Sequence, residues 1–181
     1  MKLDPQQVKL VDGCKRGDRS AQHQLYSQYA KAMYNICYRM TGNTADAEDL
    51  LQNAFIDVFA KIDTYRSEST IGAWIKRIVI NTCINFLKKR KLDTTEWDER
   101  IGDVPVESAG LTESDRLSVE KVRNAMQQLP DGYRTVFSLY LLEGYDHGEI
   151  AQVLGISEAT SKSQYSRAKS KMRMLLAQQE N

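Results

Sequence analysis

Apolar residues fall along this chain at three- and four-residue steps, and no stretch alternates apolar and polar positions long enough to build a strand. Leu25, Tyr29, Ala32, Ile36 and Met40 mark one helix, which Gly42 and Asn43 should stop. Asn43 or Thr44 can cap the next, whose first turn carries Asp46, Glu48 and Asp49, acids suited to the positive end of a helix. Leu51, Phe55, Val58 and Ile62 share its apolar face. A third helix is expected from about Thr70 to Lys91. Further on, Val119, Val122, Met126 and Leu129 mark a helix ended by Pro130, and YRTVFSLYLLEG forms another, stopped by Gly144. The stretch EIAQVLGISEATSKSQYSRAKSKM, Glu149 to Met172, reads as a short helix, a tight turn and a second helix. The expected fold class is all-α.

Charge divides the chain further. Residues 1–92 carry fifteen basic and nine acidic side chains, net +6; residues 93–117 carry two and eight, net −6; residues 118–181 carry eight and seven, net +1. The acidic stretch holds Gly102, Pro105 and Gly110 and few apolar residues, too charged and too interrupted to build a core. Two small helical domains, 1–92 and 118–181, are therefore expected, joined by an acidic flexible linker, 93–117, with the second a helix-turn-helix domain.

Several classes of protein fit poorly. No apolar run approaches the ~20 residues that span a bilayer, and MKLDPQQVKLVDG lacks the apolar core of a signal peptide. A cytoplasmic protein without membrane insertion is expected. Cys14, Cys37 and Cys83 are odd in number and far apart, and neither His23 nor His147 has a cysteine at metal-ligand spacing. Buried thiols, with no disulfide framework and no metal, follow. No Gly-rich phosphate loop follows a strand and no Ser/His/Asp arrangement is visible, so neither a cofactor nor catalytic residues are expected, and the chain does not read as an enzyme.

Three constellations remain. In the last helix Tyr165, Ala168, Met172 and Leu175 lie on one arc, while Lys162, Ser166, Lys169 and Arg173 lie on another with Ser163, Ser170 and Arg167 beside them. Ala151 followed by Gly155 fits a helix crossing and then a turn, and lysine, arginine and serine near a helix start reach base edges and phosphates. The rival reading is a solvated basic helix in an ordinary bundle. Ser161 stands where such motifs bury a valine or isoleucine; its hydroxyl can return to the preceding turn.

On the third helix Arg77, Asn81, Asn85 and Lys88 form one polar stripe, with Trp74 a turn earlier. Arginine, asparagine and an aromatic suit unstacked bases, and KKRK at Lys88 to Lys91 adds phosphate attraction. A buried helix with one wet edge is the alternative. Asp46, Asp49, Gln52 and Asn53 surround Ile56 opposite the apolar face of their helix, either a solvated face or a docking surface with an apolar centre and a polar rim.

Together these residues resemble the small extracytoplasmic-function (ECF) type of bacterial RNA polymerase sigma factor, of the sigma-70 family. The resemblance runs through GDRSAQHQLYSQYAKAMYNICYRMTGNTADAEDLLQNAFIDVF, YRSESTIGAWIKRIVINTCINFLKKRK and LPDGYRTVFSLYLLEGYDHGEIAQVLGISEATSKSQYSRAKSKM, in order. It implies that Asp46, Asp49, Gln52, Asn53 and Ile56 dock on the clamp helices of the polymerase largest subunit. Arg66, Ser67 and Glu68 would form the loop that receives a flipped base, and Trp74, Arg77, Asn81 and Asn85, with Lys88, would open and read the minus-ten element. Thr160, Lys162, Ser163, Ser166 and Arg167 would face the minus-thirty-five groove, with Arg134 and Lys169 as candidate phosphate contacts. Core RNA polymerase, through its clamp helices and flap, and promoter DNA are the implied partners, with an anti-sigma factor as a further candidate. Ile71, Asn53 and Gln164 depart from the family's usual phenylalanine, acid and basic residue; the last removes a phosphate contact. A stand-alone operator-binding regulator is the competing function, and it leaves the Asn81 stripe and the Asp49 patch idle.

Overall fold

The computed structural model describes residues 5–93 and 119–178. The expected linker, 93–117, lies outside them apart from Asp93. Among the described residues are eight α-helices, one 3-10 turn, one π-helical turn and no strand. The chain divides into two compact units, Met1–Leu87 and Lys88–Asn181.

The first unit holds α1 (Pro5–Lys15), α2 (Arg19–Thr41) and α3 (Thr44–Ala60), and α4 (Ile71–Asp93) begins in it. The sequence reading missed α1, whose short apolar stripe of Leu10, Val11 and Cys14 is buried. A Cβ on Gly13 would stand 2.7 Å from the Ala21 Cβ, so a larger residue there would push α1 off α2. Asp18 caps α2 by accepting from the Ser20 and Ala21 N–H groups at 2.8 and 3.4 Å. Gly42, at φ 70°, ends it, and the Asn43 side chain then accepts from the Asp46 N–H at 3.0 Å, which settles the cap of α3 on Asn43.

Leu25, Met33, Ile36 and Met40 of α2 are buried, as are Leu50, Leu51, Phe55 and Val58 of α3 and Ile71, Ile75, Val79, Ile80 and Ile84 of α4. Ala32, expected inside, is exposed. It sits on the margin of the apolar arc, which Met33 and Cys37 extend on the other side. Cys14, Cys37 and Cys83 are buried thiols. A hydrogen bond from Cys83 holds the Cys37 thiol below its ordinary pKa, against the effect of burial.

The second unit contains α5 (Val119–Gln127), α6 (Asp131–Phe137), α7 (His147–Leu154) and α8 (Glu158–Gln178). Ala125, Met126, Leu129, Phe137, Ala168, Met172 and Leu175 form its core. Val119, expected to face this core, is 86% exposed, because α5 begins there and its inward stripe starts one turn later at Val122. After α6 the backbone widens into a π-helical turn, Ser138–Leu142, where the Glu143 N–H donates to the Ser138 carbonyl at 3.1 Å; Gly144, at φ 81°, follows. Asp146 and Glu149 close a reciprocal capping box at the start of α7. Gly155, at φ 70°, makes the turn into α8. No described helix is long and apolar enough to cross a membrane.

Candidate nucleic-acid interface

The polar stripe of α4 faces solvent. Arg77, Asn81, Asn85 and Lys88 are exposed, while Ile75, Val79, Ile80 and Ile84 fill the opposite face. Trp74 is half-buried, with its ring centroid 5.5 Å from that of Tyr65. Thr70 caps the helix, its hydroxyl accepting from the Ala73 N–H at 3.2 Å. Before it, Arg66, Ser67 and Glu68 form an exposed loop. Ser67 adopts φ 60°, a conformation that costs a side-chain-bearing residue strain. The Tyr65 hydroxyl donates to the Ser69 carbonyl at 2.6 Å and bridges the loop beneath its apex.

On α8, Lys162, Ser163 and Lys169 are exposed and Thr160, Ser166 and Arg167 half-buried. Ser157 caps the helix by accepting from the Thr160 N–H at 3.0 Å, and its hydroxyl lies 2.8 Å from that of Thr160. Lys162 pairs with Glu158 at 2.6 Å; both side chains are more than half exposed, so the pair is weak and can exchange for a phosphate. Lys169 sits 4.9 Å above the Tyr165 ring. Burial, and after it the neighbouring Tyr140, pushes the Tyr165 phenol above its ordinary pKa.

Two assignments on this unit are corrected. Arg134 is not a surface cation: it is 4% exposed, donates to the Leu129 carbonyl at 2.9 Å and pairs with Asp131. Its guanidinium satisfies a carbonyl of the turn that follows α5 and is committed within the unit. Gln164 lies on the packed face, its side-chain carbonyl buried without a hydrogen-bond partner among the described residues. Position 164 thus contributes to the packing of the unit rather than to its exposed basic face.

Ser161 is fully buried, as the motif requires, but its hydroxyl does not turn back on its own helix. It lies 2.9 Å from Nδ1 of His147, the first residue of α7. His147 in turn stacks on Tyr140, with ring centroids 4.4 Å apart. Polar contact thus replaces the usual apolar one between the two helices.

On α3, Asp49, Gln52 and Asn53 are exposed, Asp46 is half-buried, and Ile56 stands 66% exposed in their midst. Ala47, Leu50, Ala54 and Val58 fill the other side. The patch lies on α3 of the first unit. The stripe runs along α4 from Arg77 to Asn85 in that unit and reaches Lys88 at the start of the second, and the basic face of α8 belongs to the second.

Two helical units, one ending in a helix-turn-helix with a one-sided basic helix, define a DNA-directed all-α protein. Residues 25–92 match Sigma-70 region 2 and residues 119–172 match Sigma-70, region 4. The chain is 30% identical over 184 residues to the ECF RNA polymerase sigma factor SigW of Bacillus subtilis, covering 93% of this chain and 95% of that protein. It is also 30% identical to the RNA polymerase sigma-H factor of Pseudomonas aeruginosa, over 93% of each. It is similar in fold to the sigma factor RpoE, solved in complex with the anti-sigma factor NepR from Bartonella quintana. That likeness has a TM-score of 0.54 at 24% identity and covers 86% of this chain and 96% of the other. The chain belongs to the ECF RNA polymerase sigma factors of the sigma-70 family. It is a sigma factor that binds core RNA polymerase and directs it to promoters, and the stand-alone operator-binding reading is not favoured.

Proposed function

We propose that three surfaces of this sigma factor divide promoter opening among them. The exposed patch around Ile56 docks on the clamp helices of the polymerase largest subunit, its apolar centre burying against the partner while Asp46, Asp49, Gln52 and Asn53 form the rim. The α4 stripe, with the loop Arg66 to Glu68, holds the unstacked strand of the minus-ten element: Trp74 supplies a stacking face and Arg77, Asn81 and Asn85 supply hydrogen bonds. The exposed face of α8 enters the major groove of the minus-thirty-five element, where Lys162, Ser163, Ser166 and Arg167 reach bases and Lys169 and Thr160 reach the backbone.

Residues 1–92 and 118–181 act as the two functional domains, with 93–117 as the tether that lets both engage one promoter. Its acidity keeps it off duplex DNA and suits a positively charged channel on the polymerase. The protein performs no chemistry itself and works where transcription occurs, in the cytoplasm. The similar RpoE is solved with an anti-sigma factor, and a structure of CnrH, similar in fold at TM-score 0.51, contains the cytosolic domain of CnrY. An anti-sigma partner that covers these surfaces until a stress signal arrives is the corresponding proposal here.

The exposure of Arg77, Asn81 and Asn85 on a helix whose other face is core carries this reading. Run-off transcription of genomic fragments with purified core polymerase tests it. Transcripts should start only when the chain is added, and should share sequence elements upstream; an unchanged transcript pattern would refute the reading.

A further inference from the structure

Lys15, the last residue of α1, donates through Nζ to the Tyr65 carbonyl at 3.3 Å, a contact between residues 50 apart in sequence. Tyr65 is therefore held twice: its carbonyl by α1 and its hydroxyl by Ser69 across the loop. The ring itself is buried and lies against Trp74. By contrast, every residue from Arg66 to Thr70 is exposed, so burial cannot fix the loop. Its apex residue, Ser67, nevertheless holds φ 60°, a conformation that persists only where the surroundings impose it. A shallow cleft lined by Val8, Val11, Lys15, Tyr65, Ser67 and Ile71 follows the seam between α1 and the loop.

We infer that Lys15 and Tyr65 are positioning residues that hold the base-receiving loop in its reading conformation before DNA arrives. This rests on the assignment of Arg66 to Glu68 as that loop. A loop that is free to rearrange can adjust its contacts to an incorrect base. A loop already held in one conformation fits the correct base and leaves an incorrect one poorly matched, so order in advance widens the difference between them. Two hydrogen bonds at one buried residue, one donated by its hydroxyl and one accepted by its carbonyl from a separate helix, supply the order in advance. The close approach of Gly13 to Ala21 seats α1 against α2, so the anchor is itself fixed.

The test uses the full chain with core polymerase and a promoter set carrying each single-base change in the minus-ten and upstream elements. Lys15→Met and Tyr65→Phe should each reduce discrimination at the loop-read base by roughly three- to tenfold, the value of one hydrogen bond. Discrimination at the upstream element and affinity for core polymerase should stay at wild-type values, and Lys15→Arg, which keeps a donor, should retain the discrimination. Wild-type discrimination in both Lys15→Met and Tyr65→Phe, with Arg66→Ala or Glu68→Ala defective, would overturn the brace and leave the loop assignment standing. If Arg66→Ala and Glu68→Ala themselves discriminate like wild type at every minus-ten base, the loop assignment falls and the brace with it. A loss spread evenly over both elements, or a fall in core affinity, would make Lys15 and Tyr65 general structural residues and also overturn the inference.

Discussion

The Ser161 hydroxyl lies 2.9 Å from Nδ1 of His147, so a polar contact joins the two helices of the helix-turn-helix where an apolar residue was expected. Ser161 is fully buried, and removing its oxygen leaves the imidazole nitrogen without that partner. Ser161→Ala should destabilise the second unit by about 0.5–1.5 kcal/mol, the net contribution of one hydrogen bond to a half-buried partner. Ser161→Val should do no better, because its added methyl group must also fit a closed site. Thermal unfolding followed by circular dichroism measures both. A wild-type unfolding temperature for Ser161→Ala would show that the contact contributes nothing.

At Ser67 the backbone rather than the side chain sets the expectation. A residue with a Cβ at φ 60° is strained by roughly 1–2 kcal/mol, and glycine is not. Ser67→Gly should therefore leave stability unchanged or raise it slightly, the gain offset by the greater freedom of glycine in the unfolded chain. Ser67→Val should lower stability by about 1–2 kcal/mol, since a β-branched residue tolerates this region least. Denaturant midpoints of the three proteins give the order; Val at or above Ser would contradict the backbone assignment.

The docking patch predicts a separation of binding from folding. Asp49 and Gln52 are exposed and Ile56 is 66% exposed, so Asp49→Arg with Gln52→Ala, and separately Ile56→Asp, should change stability by less than about 0.5 kcal/mol. Affinity for core polymerase should fall about tenfold or more, as for the loss of a central interface residue. Circular dichroism and core-polymerase titration on the same samples decide the matter. Unchanged affinity removes the patch from docking.

Two arginines of the second unit should behave in opposite ways. Arg167, half-buried on the outward side of α8, should when changed to Ala weaken recognition of the upstream element by about 1–3 kcal/mol without unfolding the domain. Lys162→Ala should act similarly, less strongly if its role is to contact phosphate, and then evenly across sequences with a flatter salt dependence. Arg134→Ala should instead destabilise the fold by roughly 1–3 kcal/mol, because the Leu129 carbonyl loses its donor. Transcription from base-substituted templates beside thermal unfolding separates the cases. A stable Arg134→Ala protein with a selective promoter defect would reinstate Arg134 as a DNA contact.

This contrast also marks what could be read from the residues alone. The all-α fold and the inward faces of α3 and α8 were legible because a long helix repeats its apolar positions several times. The outward stripe of Arg77, Asn81 and Asn85 followed from the same period. Arg134 was misplaced because a short helix gives too few turns to fix a face, and a buried arginine has the same letter as an exposed one. Gln164 and Ser161 were misread for a related reason: their neighbours come from other helices. The contact between Lys15 and Tyr65 left no local trace, since 50 residues separate the partners. Only the Tyr65–Ser69 bridge had a local signature, an aromatic four residues before a loop carbonyl, and it was too common a pattern to stand out.

The central claim is that α4 opens DNA and then reads it, and the two acts assign different residues. Melting costs unstacking and unpairing energy, which an aromatic face can offset by holding an extruded base. Reading needs hydrogen bonds that remain necessary once the strands are apart. Trp74→Ala and Asn81→Ala should therefore be compared on a closed duplex promoter and on the same promoter carrying a pre-made mismatch bubble, with one preparation of core polymerase. Both should be defective on the duplex. On the bubble Trp74→Ala should recover most of its activity and Asn81→Ala should stay impaired. Equal defects of Trp74→Ala on the two templates would contradict its melting role, and full activity of both variants on the duplex would remove the stripe from the mechanism.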